Sequence, residues 1–156
     1  FPFPLSIFLA AISRFSLQTS ARNQWFGTVT ARDNLQIQQH IEILLADGTT
    51  RLKAAITAQS AERLELDEGK EVLVLLKAPW ISITRDPDAA KTADNQLQGT
   101  ISHIERGQTQ CEVLMTLADG QPLCATIPLS ESDNLEEGAA VTAYFNADRV
   151  IIATLC

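Results

Sequence analysis

The chain has 156 residues, 46% of them hydrophobic and 20% charged, a balance that places it among folded globular proteins. Its formal net charge of -7 excludes a broadly basic surface, so neither nucleic acid nor anionic lipid is attracted to the whole molecule, and any bound anion must be held locally. Three cysteines without C-x-x-C spacing (Cys111, Cys124, Cys156) indicate neither a disulfide framework nor a zinc site, and His40 and His103 have no converging ligands nearby.

Residues 1–18 form an apolar lead or linker segment. Its run from Leu5 to Ile12 lacks the initiating Met, the basic flank and the cleavage pattern of a signal peptide, and is too short to span a bilayer. The first residue is not Met, from which we expect further sequence upstream, and unpaired cysteines without an export signal make the cytoplasm the expected location.

Residues 19–84 then read as a small barrel of five strands, about Trp25 to Ala31, Gln39 to Leu45, Thr50 to Thr57, Glu71 to Lys77 and Trp80 to Thr84, each an alternating or continuous apolar run bounded by turn residues. Asp47-Gly48 marks the hairpin between the second and third. Ser60 is placed to cap a short helix, "SAERLEL", that ends near Gly69 and fills the gap before the fourth strand. Three strands, a short helix and two strands are the order of an OB-type barrel.

The linker 85–90 leads into a second copy, 91–156. Asn23-Gln24 matches Asn95-Gln96, Gly27 matches Gly99, and "LADG" at 45–48 matches "LADG" at 117–120, all at an offset of 72. The fold class expected is therefore all-β, a tandem pair of OB-like five-stranded barrels, each with a short helix between strands 3 and 4. A unit of about 65 residues is marginal alone, and packing two together relieves that.

The copies differ in charge. Residues 19–84 carry 7 basic and 8 acidic groups, whereas 91–156 carry 3 and 9. Arg22 corresponds to Asp94, Thr57 to Pro128, Ser60 to Glu131 and Lys77 to Asn146, while Ser20 keeps its hydroxyl as Thr92. Ser20, Arg22, Thr57, Ser60 and Lys77, with backbone N–H groups near Arg22 and Ala78, supply two cations and three hydroxyls, a donor set suited to a tetrahedral dianion. Each charge-assisted bond of this kind contributes about 1.5–3 kcal/mol. A pocket of donors alone disfavours hydrogen phosphate, whose proton would lack an acceptor. Trp25 and Trp80 flank these stretches and read mainly as apolar cover.

"TSARNQ" with the following "GTV", then "ITAQS" and "LDEGKEVLVLLKAPW", resembles the Mop family of molybdate- and tungstate-binding OB-like domains. The tandem arrangement, the lead "LAAISRFSLQTSARNQW" and the tail "YFNADRVIIATLC" resemble the sensor half of molybdate-dependent transcriptional regulators. The resemblance implies that Ser20, Arg22, Thr57, Ser60, Lys77 and the backbone of Ala78 bind molybdate or tungstate, with the metal present only as the oxyanion. It further implies a homodimer with sites at the subunit contact, DNA binding only through an upstream winged-helix domain, and no membrane association.

These features lead to an expected sensor in which the anion neutralises Arg22 and Lys77, cations that would otherwise face one another or like charges, and so locks one dimer arrangement. No catalytic constellation is visible, so an enzyme is not expected. The alternatives are a molybdate-storage protein, an accessory domain of a molybdate transporter ATPase and, more remotely, an OB-type oligonucleotide binder. The last would want a basic groove and aromatic strand faces, yet five of the six phenylalanines fall within the first 26 residues.

Overall fold

A computed structural model describes residues 21–33 and 37–154. Ser20, Cys156 and the lead segment 1–18 lie outside the described residues. In the first repeat β1 (Asn23–Arg32), β2 (Gln38–Leu45) and β3 (Arg51–Thr57) form an antiparallel meander, followed by α1 (Ala58–Arg63), β4 (Glu71–Leu76) and the short β5 (Ser82–Thr84). The second follows the same order with β6 (Asn95–Arg106), β7 (Gln110–Leu117), β8 (Pro122–Pro128), β9 (Ala140–Phe145) and β10 (Ile151–Ala153). Among the described residues the structure is all-β apart from α1 and short 3-10 turns, with two five-stranded sheets.

Two local expectations are corrected. Thr57, not Ser60, is the N-cap of α1: its hydroxyl accepts from the Ser60 N–H at 3.2 Å, which places Ser60 inside the first turn. The second repeat has only a 3-10 turn, Leu129–Glu131, where α1 stands in the first. Pro128 occupies the cap position there and has no side-chain acceptor to start a helix.

The sheets do not coincide with the sequence repeats at their last strands. One sheet has the order β10-β4-β1-β2-β3 and the other β5-β9-β6-β7-β8, so each repeat completes its partner's sheet. Ser82 pairs with Tyr144 and Ile151 with Leu75. The exchange follows matching 3-10 turns, Ala78–Trp80 and Ala147–Arg149, which redirect the chain after β4 and β9. Equivalent residues of these turns meet, with the Arg149 guanidinium 5.6 Å from the centre of the Trp80 ring, within cation–π range.

Two buried amides tie the repeats together. Asn23 Nδ2 donates to the Cys124 carbonyl at 2.8 Å while its Oδ1 accepts from the Cys124 N–H at 2.8 Å. Asn95 does the same with Lys53, at 2.9 and 2.7 Å. Because β3 and β8 are the edge strands of their sheets, each asparagine satisfies backbone groups that no neighbouring strand reaches. The apolar core is continuous across both repeats: Trp25, Ile43, Leu52 and Leu76 pack in one cluster with Ile101, Val113, Leu123 and Phe145.

Candidate functional site

Arg22, Lys77 and Ala78 come together at one end of the first sheet. β1 and β4 are antiparallel with Asn23 opposite Leu76, so Arg22 and Lys77 are the next residues outward on neighbouring strands. Lys77 precedes the 3-10 turn and its ammonium lies 5.3 Å from the centre of the Trp80 ring. Ala78 is buried and opens that turn, and its N–H makes no hydrogen bond among the described residues. Pro79 follows and has no N–H, so the Ala78 N–H is the backbone donor at this bend.

Arg22 is exposed and occupied by a partner from the other repeat. Its Nη1 and Nη2 donate to the two carboxylate oxygens of Glu112 on β7, at 3.3 and 3.4 Å. That hydrogen bond is the main reason the guanidinium pKa is raised above its ordinary value. The expectation that Arg22 and Lys77 would face one another or like charges is corrected for Arg22, which faces a carboxylate, while Lys77 lies against the Trp80 indole, whose ring also meets the Arg149 guanidinium.

Thr57 and Ser60 lie elsewhere. Thr57 ends β3 and pairs with Gln38 at the start of β2, beyond the end of β1 where Arg32 pairs with Ile41. The ten residues of β1 span roughly 30 Å, so the two hydroxyls sit at the opposite end of the sheet from Arg22 and Lys77. The Thr57 hydroxyl donates to Ser60 Oγ at 3.0 Å, and the pair adjoins Ile37, a large apolar side chain left 88% exposed. The N–H of Ala58 donates to the Ile37 carbonyl. Ser20 is outside the described residues, so of the six predicted residues the structure gathers three, places two apart and leaves one undescribed.

The second repeat shows what the first lacks. Asp94, at the position of Arg22, accepts from the Ala147 N–H at 2.8 Å, and Ala147 is the counterpart of Ala78. The bend whose donor has no partner among the described residues in the first repeat is thus filled by the chain's own carboxylate in the second. Glu112 and Asp94 were not identified from sequence as partners of these groups. The charge reversal at residue 94 was a visible signal for one of them, but nothing local marks Glu112, which reaches Arg22 only because the repeats pack together.

Among the described residues no group of three or more His, Cys, Asp or Glu could hold a metal ion, and no helix is long and apolar enough to cross a membrane. A polar cavity lies in the second sheet, lined by Ser82, Thr84, Arg85, Glu131 and Tyr144 among others, and apart from the second repeat's Glu131 it draws on none of the compared site positions.

Residues 19–83 and 91–152 each match the TOBE domain family. The chain is 72% identical over 153 residues to the DNA-binding transcriptional dual regulator ModE of Escherichia coli, covering 98% of this chain and 58% of that protein. It is 34% identical over 151 residues to the molybdenum transport protein ModE of Azotobacter vinelandii, covering 96% of this chain and 56% of that protein. The chain thus spans little more than half the length of these relatives. Among solved structures, the cytoplasmic molybdate-binding protein ModG with molybdate bound superposes with a TM-score of 0.85 at 33% identity, covering 89% of this chain and all of that one. Two copies of one domain at the expected offset, on a fold shared with ModG, establish that the chain belongs to the TOBE domain family.

Proposed function

We propose that the chain is the oxyanion-sensing portion of a transcriptional regulator, binding molybdate or tungstate in the cytoplasm without catalysing a reaction. The observation that carries this reading is the contrast at the two bends: Asp94 fills the donor of Ala147, while Ala78, beside two cations, has no hydrogen-bond partner for its N–H among the described residues. A bend that accepts a carboxylate in one repeat is chemically suited to an external oxyanion in the other. Relatives named as regulators of transcription and as molybdenum transport or molybdate-binding proteins support the ligand and the role.

The separation of Arg22, Lys77 and Ala78 from Thr57 and Ser60 supports a composite site across a homodimer, the cationic end of one chain meeting the hydroxyl end of another. Ile37, exposed beside Thr57, is then covered by the second chain. In the intact regulator, anion-dependent closure of this contact would reposition DNA-binding domains carried by the rest of the protein. The storage reading fits less well, since it wants ligands in both repeats and Asp94 closes the second.

Calorimetric titration tests the proposal. It predicts about one molybdate per chain, little response to sulfate or phosphate, and severe loss on Arg22→Asp, which copies the substitution the second repeat already carries. Equal uptake of sulfate would refute the specificity.

A further inference from the structure

The anchor of Arg22 is a residue of the other repeat, and its geometry sets a limit on how tightly Arg22 is held. Both terminal nitrogens face the Glu112 carboxylate, but at 3.3 and 3.4 Å, beyond the 2.7–2.9 Å of a good charge-assisted bond. The two side chains are 54% and 40% exposed, so water screens the pair. Glu112 also sits directly opposite Glu105 on β6, a cross-strand like-charge pair that Arg22 relieves. A dianion reaching Lys77 and the Ala78 N–H therefore meets a guanidinium whose end face and charge are already in use.

We propose that Glu112 is a competitor built into the second repeat: it holds Arg22 in the anion-free protein, the incoming oxyanion displaces it, and the affinity of the site is set by that exchange. This inference rests on the reading of Arg22 as an anion ligand. Asp94 makes the comparison concrete. Its carboxylate accepts from a backbone N–H of its own repeat at 2.8 Å and is a fixed occupant, whereas Glu112 holds a flexible, half-exposed side chain and is a replaceable one. Displacement leaves Glu112 and Glu105 facing each other without a cation, so ligand binding loosens a contact between the repeats and transmits occupancy from one to the other.

The test is calorimetric titration with molybdate of the unsubstituted chain, Glu112→Gln, and both in an Arg22→Ala background. Removing the competing charge is expected to tighten binding by about three- to fivefold, the scale of an exposed ion pair, and to do nothing without Arg22. Glu112→Asp, which keeps the charge but draws it back from Arg22, should shift affinity in the same direction and covers the case in which the glutamine variant does not fold. Unchanged or weaker binding in folded Glu112 variants overturns the inference, weaker binding meaning that Glu112 positions Arg22 instead. An unsubstituted chain that takes up no molybdate overturns the underlying functional reading as well.

Discussion

Asn23 and Asn95 are the residues on which the joint between the repeats depends. Each is buried and satisfies both the N–H and the C=O of an edge-strand residue in the other repeat. Asn23→Ala would orphan both backbone groups of Cys124, and we expect a loss of about 2–5 kcal/mol of stability in urea denaturation, with a similar loss for Asn95→Ala. A change under about 0.5 kcal/mol in both would mean that water replaces the amide without penalty. Both asparagines were visible in the sequence as repeat markers, but their role was not, because their partners are about 100 and about 40 residues away. Asp47 makes a second residue-scale prediction. Burial would raise its carboxyl pKa, yet the hydrogen bonds from the Thr50 hydroxyl and from the N–H groups of Thr50 and Thr49 outweigh that and bring it from 3.8 to about 2. A depressed carboxyl stabilises the fold when ionised, so its contribution is present above pH 3.8 and fades as pH falls through about 2. The stability difference between the protein and Asp47→Asn should follow that course in chemical denaturation at stepped pH. A difference that grows below pH 3 contradicts it.

At the scale of elements, most of what periodicity and turn chemistry encode is present in the structure. The strands, the Asp47-Gly48 hairpin with Gly48 at φ +79° and the offset of the two copies all reflect short-range patterns. Gly27 and Gly99 show why a repeated glycine matters. A Cβ on Gly27 would sit 2.6 Å from Ile43 Cγ2 and 2.9 Å from the Leu44 carbonyl, and one on Gly99 2.5 Å from the Thr116 carbonyl. Gly99→Ala meets rigid backbone and should destabilise by about 1–3 kcal/mol, with Gly27→Ala somewhat less costly because its closest backbone carbonyl stands at 2.9 Å rather than 2.5 Å. Thermal unfolding checks the order, and a more damaging Gly27→Ala reverses the argument. The exchange of β5 and β10 was not legible. "SIT" and "IIA" are short apolar strands that suit either sheet equally, and the choice is made by the two 3-10 turns and the packing of Trp80 with Arg149.

For the whole molecule the exchange means that neither repeat closes its own sheet, so a single repeat such as 19–84 should not behave as a folded monomer. The separation of the site residues yields a sharper prediction. Sequence could show that the cations and hydroxyls belong to one repeat, but not that they occupy opposite ends of it, because that follows from the direction of β3 relative to β4. If the site joins the cationic end of one chain to the hydroxyl end of another, a dimer has two sites, each drawing on both chains. A chain carrying Arg22→Asp and a chain carrying Thr57→Ala with Ser60→Ala should each bind no molybdate alone. When the two are refolded together and the mixed dimer is isolated by paired affinity tags, one site combines both defects and the other combines neither. That dimer should take up one molybdate per two chains, with the affinity of the unsubstituted protein. A site completed within one chain leaves every site in the mixed dimer defective, and titration would then show no binding at all.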